Sequence, residues 1–314
     1  MKAIILTDAG SADKLEMTDL PKPEINDRQV LIQSKAISVN PVDAKVRIGK
    51  SLYNELRSQN PFIIPGWDVS GVIVETGKSV TEFKPGDEVF GMVNFPGHGK
   101  AYAEFVAAPI EHIALKPGTI THEEAAAATL AALTAWQALV TNAKVSNGQK
   151  IVIQAASGGV GHYAVQIGKF LGAYVIATSS IDNKDFTMSL GADEHIDYKK
   201  HPIDTVVTDA DFVLDPIGGE NIDPSLNAVK KGGTVIMLPS FFKEEIRVKA
   251  SAKGVNGYYF TVKSSGDDMR QLATLLENGI VRSHVSKRFS FDQMKDAHLQ
   301  IESGRTVGKI VVTL

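Results

Sequence analysis

The stretch over residues 150–180, KIVIQAASGGVGHYAVQIGKFLGAYVIATSS, constrains the fold more than any other. Residues 150–155 are an apolar run of strand length, and the turn Ala156-Ser157-Gly158-Gly159-Val160-Gly161 follows at once. Val160, Ala164, Ile167, Phe170 and Leu171 then recur at helical spacing, and residues 174–178 return to a short apolar strand. Two parallel strands joined by one helix set a dinucleotide pyrophosphate on a helix N-terminus, where free backbone N–H groups and the helix dipole meet its charge. Gly158 lets the backbone approach the pyrophosphate, and Gly161 lets the helix pack against the strand. Ala156 stands where the G-x-G-x-x-G pattern has its first glycine, a departure from the strict pattern. A purely structural turn is the alternative; strand, helix and strand at the right distance favour a nucleotide site.

The end of the second strand selects the nucleotide. A chain choosing NAD tends to place Asp or Glu there, about 20 residues on, to hold the ribose 2′-hydroxyl. This chain has Thr178-Ser179-Ser180, with no acid until Asp182. A carboxylate would repel a 2′-phosphate, whereas hydroxyls donate to it, and Lys184 follows closely enough to add charge. A solvated loop with incidental Ser and Lys is the alternative. NADPH is the expected cofactor.

At 314 residues the chain has material for about two domains. A formal net charge of −3 supplies no electrostatic footprint for nucleic acid. The absence of cysteine removes disulfides, thiolate metal sites and cysteine nucleophiles together, and leaves the redox compartment open. The apolar run at the N-terminus is short and stopped by Asp8, and the weakly polar run over residues 125–140 falls short of about 20 residues. A cytoplasmic protein without membrane association is expected.

Short apolar runs at residues 2–6, 29–33, 71–75, 87–91 and 103–106, punctuated by Pro and Gly, have the texture of an antiparallel sandwich or small barrel. A helix is expected over residues 121–142, with Thr121 as N-cap and Glu123 and Glu124 in its first turn. From Lys150 strands and helices alternate, with further buried strands at 211–215 and 234–238. The fold class is therefore α/β, a doubly wound parallel sheet joined to a β-rich part. Helices at 267–278 and 291–302 and a strand at 309–313 close the chain.

These residues resemble the medium-chain dehydrogenase/reductase superfamily in its zinc-free, quinone oxidoreductase-like branch. The resemblance runs through Val39-Asn40-Pro41-Val42-Asp43, Pro65-Gly66-Trp67-Asp68, Ala101-Tyr102-Ala103-Glu104, Ala132-Leu133-Thr134-Ala135-Trp136, the glycine turn, Asp215-Pro216-Ile217-Gly218-Gly219 and Gly308-Lys309. It implies a GroES-like domain over residues 1–121, completed by 259–314, and a Rossmann domain for NADP over 122–258. A homodimer is implied, and the cleft between domains would hold nicotinamide and substrate. In zinc-dependent relatives the catalytic ligands fall at the positions of Asn40, Trp67 and Leu130, none of which binds zinc here.

Without a Lewis acid, a quinone or α,β-unsaturated carbonyl is a better hydride acceptor than a simple alcohol is a donor. The resemblance places Asn40 and Asp43 by the nicotinamide ribose or substrate; an Asn-Pro turn capping structure is the alternative. Thr134 resembles the family threonine facing the nicotinamide, or packs in a helix core. Ser157, Gly158, Gly159, Val160 and Gly161 would line the pyrophosphate turn. Ser179, Lys184 and Tyr198 resemble a 2′-phosphate pocket, with a plain surface aromatic as the alternative for Tyr198, and Leu238, Ser240 and Phe260 fall where the family backbone borders the nicotinamide. Tyr53 gates the substrate cleft or simply packs, and Trp67 walls the pocket. The expected activity is hydride transfer from NADPH to a small-molecule quinone or enone; the alternative is a non-catalytic NADPH-binding regulatory protein.

Overall fold

Runs of Val, Ile and Leu between Pro- and Gly-containing turns form the strands of the computed structural model, which describes residues 1–58 and 60–314. The chain begins with β1 Lys2–Leu6, β2 Leu15–Asp19 and β3 Gln29–Val39, followed by helices α1 Pro41–Arg47 and α2 Tyr53–Ser58. Strands β4 Asp68–Thr76, β5 Glu88–Met92, β6 Phe105–Pro109 and β7 Ile113–Leu115 come next, then α3 His122–Ala127 and α4 Leu130–Trp136. The alternating part is β8 Lys150–Ile153, α5 Gly161–Phe170, β9 Tyr174–Ser179, α6 Lys184–Ser189, β10 Glu194–Asp197, β11 Ala210–Asp215 and α7 Ile222–Ala228. It continues with β12 Val229–Met237, α8 Lys243–Lys253 and β13 Asn256–Tyr259. Helix α9 Gly266–Glu277, β14 Val285–Ser290, α10 Met294–Glu302 and β15 Lys309–Thr313 complete the chain.

One unit comprises Met1–Leu133 and Lys263–Leu314. Its main sheet has the order β14-β15-β3-β4-β5-β7, with β6 also paired to β3. All its pairings are antiparallel except β14 with β15. The C-terminal strand enters by antiparallel pairing on β3, with Ile310 opposite Val39. Ile32, Ile37, Val39, Val69, Ile73, Val89, Ile310 and Val312 fill the core beneath it.

The single helix expected over residues 121–142 is instead three pieces: α3, α4 and a π-helical stretch Gln137–Asn142. Thr121 caps α3 as expected: its side chain accepts from the Glu124 N–H at 3.2 Å, and Glu124 accepts from the Thr121 N–H at 2.8 Å. The break follows because the Leu130 N–H turns to the buried Asp68 carboxylate, 3.0 Å away, and starts a new helix there. The units divide after Leu133 and Val262, later than the expected divisions after residues 121 and 258, because α3 packs on β3 and β4.

The other unit, Thr134–Val262, holds six parallel strands in the order β10-β9-β8-β11-β12-β13. Val152, Ile176, Val213, Val235 and Met237 are buried in its core, as continuous apolar runs in a covered sheet require. From β8 the chain winds outward to β10, then returns to β11 beside β8 and winds the other way. That reversal is the switch point at which ligands bind outside the carboxyl ends of the strands.

Candidate active site

Beyond β8 the backbone turns sharply. Ala155 takes a left-handed φ of 48°, the Ala156 N–H donates to Thr178 O at 2.8 Å, and the Gly158 N–H returns to Ala155 O at 2.9 Å. A Cβ on Gly161 would lie 2.2 Å from Ala155 O and 2.6 Å from the Ala156 Cα, so only glycine lets α5 start against the turn. A Cβ on Gly158 would meet Ala155 O at 3.2 Å. That contact is tight but far milder than the one at Gly161, and a small residue here also leaves the backbone open to close approach of a ligand. Ser157, Gly158, Gly159 and Val160 are half-buried along the rim of this turn, and the Ser157 hydroxyl accepts from Asn183 at 3.2 Å. The positive end of the α5 dipole faces this turn and favours an anion there.

At the end of β9, Ser179 is buried and its hydroxyl is already engaged. It donates to Ser180 O at 3.0 Å and lies 2.8 Å from His195 Nε2 on β10. The Tyr198 N–H reaches Ser179 O at 3.3 Å, while the Tyr198 side chain is exposed. Lys184, exposed at the start of α6, acts electrostatically on His195. Ser179 and Lys184 thus both act on His195, and Tyr198 reaches this corner of the sheet through its backbone. The sequence reading passed over His195; the only signal for it was a polar residue in the short strand before Tyr198.

At the other end of the same edge, Asp215 holds the turn after β11. Its carboxylate accepts from the Ile217 and Gly218 N–H groups, both at 2.8 Å, and from the Ser225 hydroxyl at 3.0 Å. The Leu238 N–H donates to Asp215 O and the Phe260 N–H to Met237 O, both at 3.0 Å. Leu238 and Phe260 therefore follow the carboxyl ends of β12 and β13, with Ser240 exposed two residues beyond Leu238. Thr134 is buried within α4.

A second polar cluster lies inside the GroES-like part of the chain. Asn40 caps α1, and its backbone N–H donates to the Asp43 carboxylate at 2.6 Å. The Asn40 side-chain amide donates to Asp68 at 2.7 Å and accepts from the Lys309 ammonium. Asn40, Asp43, Asp68 and Lys309 are all buried. Burial pushes Asp43 up to about 7, against the lowering effect of the Asn40 N–H. Burial likewise raises Asp68 and lowers Lys309, with each opposite charge pulling back. Buried Tyr102 meets His298 Nε2 at 3.0 Å, and burial raises its phenol well above the ordinary range. Tyr53 stands apart from this network: its hydroxyl accepts from the Ala9 N–H at 3.2 Å. Trp67 is buried, donates to Gly97 O at 2.6 Å and packs edge-on against Phe95.

The alcohol dehydrogenase GroES-like domain pattern matches residues 26–118, and the zinc-binding dehydrogenase pattern matches residues 190–312. The 2-methylene-furan-3-one reductase of Solanum lycopersicum is 36% identical over 99% of this chain and 79% of its own length. The chloroplastic NADPH-dependent alkenal/one oxidoreductase of Arabidopsis thaliana is 35% identical over 99% of this chain and 79% of its own length. The structure of the quinone oxidoreductase from Coxiella burnetii superposes with a TM-score of 0.95 at 32% identity, covering 100% of this chain and 99% of that one. The chain belongs to the quinone oxidoreductase-like branch of the medium-chain dehydrogenase/reductase superfamily.

Zinc is named in one of the matched family patterns, but the donor set of this quinone oxidoreductase-like chain does not fit it. Asn40 spends its amide on Asp68 and Lys309, Trp67 spends its indole N–H on Gly97, and Leu130 has no donor atom in its side chain. Among the described residues no three His, Cys, Asp or Glu side chains group to hold a metal. The three segments do converge, around Asp68, which bonds both Asn40 and the Leu130 N–H. Lys309 is the further residue of this cluster: Gly308-Lys309 was visible in the sequence as a family landmark, without a role.

Proposed function

We propose that this chain transfers a hydride from NADPH to a quinone or an α,β-unsaturated carbonyl, without zinc. The observation that carries the reading is the carboxyl edge of its parallel sheet. A glycine turn, closed tightly at Gly161, lies at the switch point, and β9 ends in Ser179, with Lys184 opening α6 and no acid at the strand end. The relatives support it: one is named for an NADPH-dependent alkenal/one reaction, one for a ring enone, and one structure for a quinone.

The residues fit the dinucleotide. The α5 N-terminus and the rim over Ser157, Gly158, Gly159 and Val160 would hold the pyrophosphate, with Gly161 fixing the helix start. Ser179, Lys184 and Tyr198 would form the 2′-phosphate corner, and Leu238, Ser240 and Phe260 the nicotinamide end, with Thr134. When bound, NADPH supplies the hydride. Quinones and enones carry their own electrophilic carbon, so positioning and hydrogen bonds suffice for the rest. We assign the acceptor side to Asn40, Asp43 and Tyr53. Both polar ends of the Asn40 side chain are committed to Asp68 and Lys309, so Asn40 and Asp43 act by positioning the backbone around them. Tyr53 keeps its O–H as a donor while it accepts from Ala9.

A homodimer is proposed from the family, and β13, at the edge of its sheet, offers unpaired backbone groups for it; light scattering tests this. No described helix is long and apolar enough to cross a membrane. A cytoplasmic location stays a proposal for fractionation, since the Arabidopsis relative is chloroplastic.

The deciding experiment is stopped-flow NADPH oxidation across 1,4-quinones, alkenals and cyclic enones, with dissociation constants for NADPH and NADH. Turnover with at least one acceptor class and a preference for NADPH of at least about tenfold, roughly 1.4 kcal/mol, are expected. Tight NADPH binding without turnover on any acceptor would leave the non-catalytic reading instead.

A further inference from the structure

The corner at the ends of β9 and β10 holds a group that the reading above does not use. Ser179 has a single hydroxyl hydrogen and two neighbours, Ser180 O at 3.0 Å and His195 Nε2 at 2.8 Å. When that hydrogen goes to Ser180 O, the imidazole is the donor of the contact to Ser179 Oγ. In that arrangement neutral His195 carries its hydrogen on Nε2 and leaves Nδ1 as a bare lone pair. A lone pair repels a phosphate oxygen, and protonation turns that same nitrogen into a charged donor.

We propose that His195 reads the 2′-phosphate of the dinucleotide together with Lys184, and that binding this phosphate draws a proton onto the imidazole. The proposal rests on the NADPH reading and deepens it: cofactor preference becomes dependent on pH. The groups acting on the ring come from three elements. Lys184 on α6 disfavours the imidazolium, Asp197 on β10 favours it, and β9 contributes the neutral Ser179. Burial first, then Lys184, holds the free imidazole below its ordinary range, so the empty corner keeps His195 neutral near pH 7. A phosphate dianion beside Nδ1 reverses the sign of the local field and pulls the proton on.

Isothermal titration calorimetry with NADP+ and NAD+, the acid-stable forms, in buffers of different ionisation enthalpy measures the proton directly. The 2′-phosphate titrates near pH 6 by itself, so the wild type is compared with H195Q, in which that contribution is identical. Wild type should take up about half a proton more than H195Q on binding NADP+ between pH 6 and 7, and no more on binding NAD+. Its NADP+/NAD+ affinity ratio should fall about fivefold more steeply from pH 6 to 8 than that of the variant. The NMR titration of the His195 ring in wild type gives the same answer without a variant: its pKa is higher in the NADP+ complex than in the NAD+ complex. Equal proton uptake in both proteins and an unmoved ring pKa, with NADP+ still preferred, overturn the role of His195 alone. No preference for NADP+ at any pH overturns the cofactor reading itself, and this proposal with it.

Discussion

The Lys309 ammonium donates to the side-chain carbonyl of Asn40 across 269 residues of chain. The other end of the same amide donates to Asp68, so one neutral side chain relays between a buried cation and a buried carboxylate. The cluster ties the cap of α1, the start of β4 and the C-terminal strand into one polar core, and Asp68 extends it to the start of α4. Removing a single charged member strands its partners without water, which costs more than the intact cluster contributes.

Lys309→Met should therefore destabilise the protein by about 3–5 kcal/mol, because Asp68 stays buried without its cation. Urea unfolding measures it. A loss below about 1 kcal/mol would mean that Asp68 is already protonated in the native state.

Asp43 and His298 impose opposite pH slopes. Burial raises Asp43 from 3.8 to about 7, so between those values the folded state binds the extra proton and stability falls as pH rises. Burial, then Arg47, lowers His298 from 6.5 to about 3, so over that interval the unfolded state binds the extra proton and stability rises with pH. The two slopes offset each other between about pH 4 and 6.5. In D43N the His298 slope is left bare, and stability should climb with pH by up to about 1.4 kcal/mol per unit. H298Q should show the reverse, a fall. Urea midpoints at three pH values decide it, and parallel slopes in all three proteins would remove the assignment.

The two outer glycines of the turn after β8 should separate stability from binding. Gly161→Ala places a Cβ 2.2 Å from Ala155 O, and should cost about 1–3 kcal/mol of stability. Gly158→Val meets Ala155 O at 3.2 Å, a contact relieved by a shift of a few tenths of an ångström, and has no left-handed φ to satisfy. It should leave the melting temperature within a few degrees while weakening NADPH binding by more than about tenfold, close to 1.4 kcal/mol. Intact NADPH affinity in the Gly158 variant would place the pyrophosphate elsewhere.

Chelation tests the donor set. Asn40, Trp67 and Leu130 supply no zinc ligand, so EDTA treatment followed by gel filtration should leave NADPH oxidation unchanged. Activity lost to the chelator and restored by zinc would show that another set of residues binds a metal.

The parallel-sheet half was legible because its information is local. A strand, a small-residue turn and an amphipathic helix within residues 150–180 each follow from side-chain periodicity and backbone sterics over a few residues. An Asn-Pro cap at Asn40 stood open as an alternative for the same reason, and the structure adds Asp43, three positions on, as the carboxylate that answers it. The break after Ala127 was not, because the carboxylate that draws off the Leu130 N–H belongs to Asp68, 62 residues earlier. His195 escaped notice because its partner, Ser179, lies on the neighbouring strand, and only the β9–β10 register brings the two together. Lys309 is the extreme case. Its sequence says only that a lysine opens an apolar strand, whereas the antiparallel register that sets Ile310 opposite Val39 carries its ammonium to Asn40. Periodicity and turn chemistry are short-range and can be read along a chain. Charge partners buried in a core are chosen by strand register, which exists only once the sheet has formed.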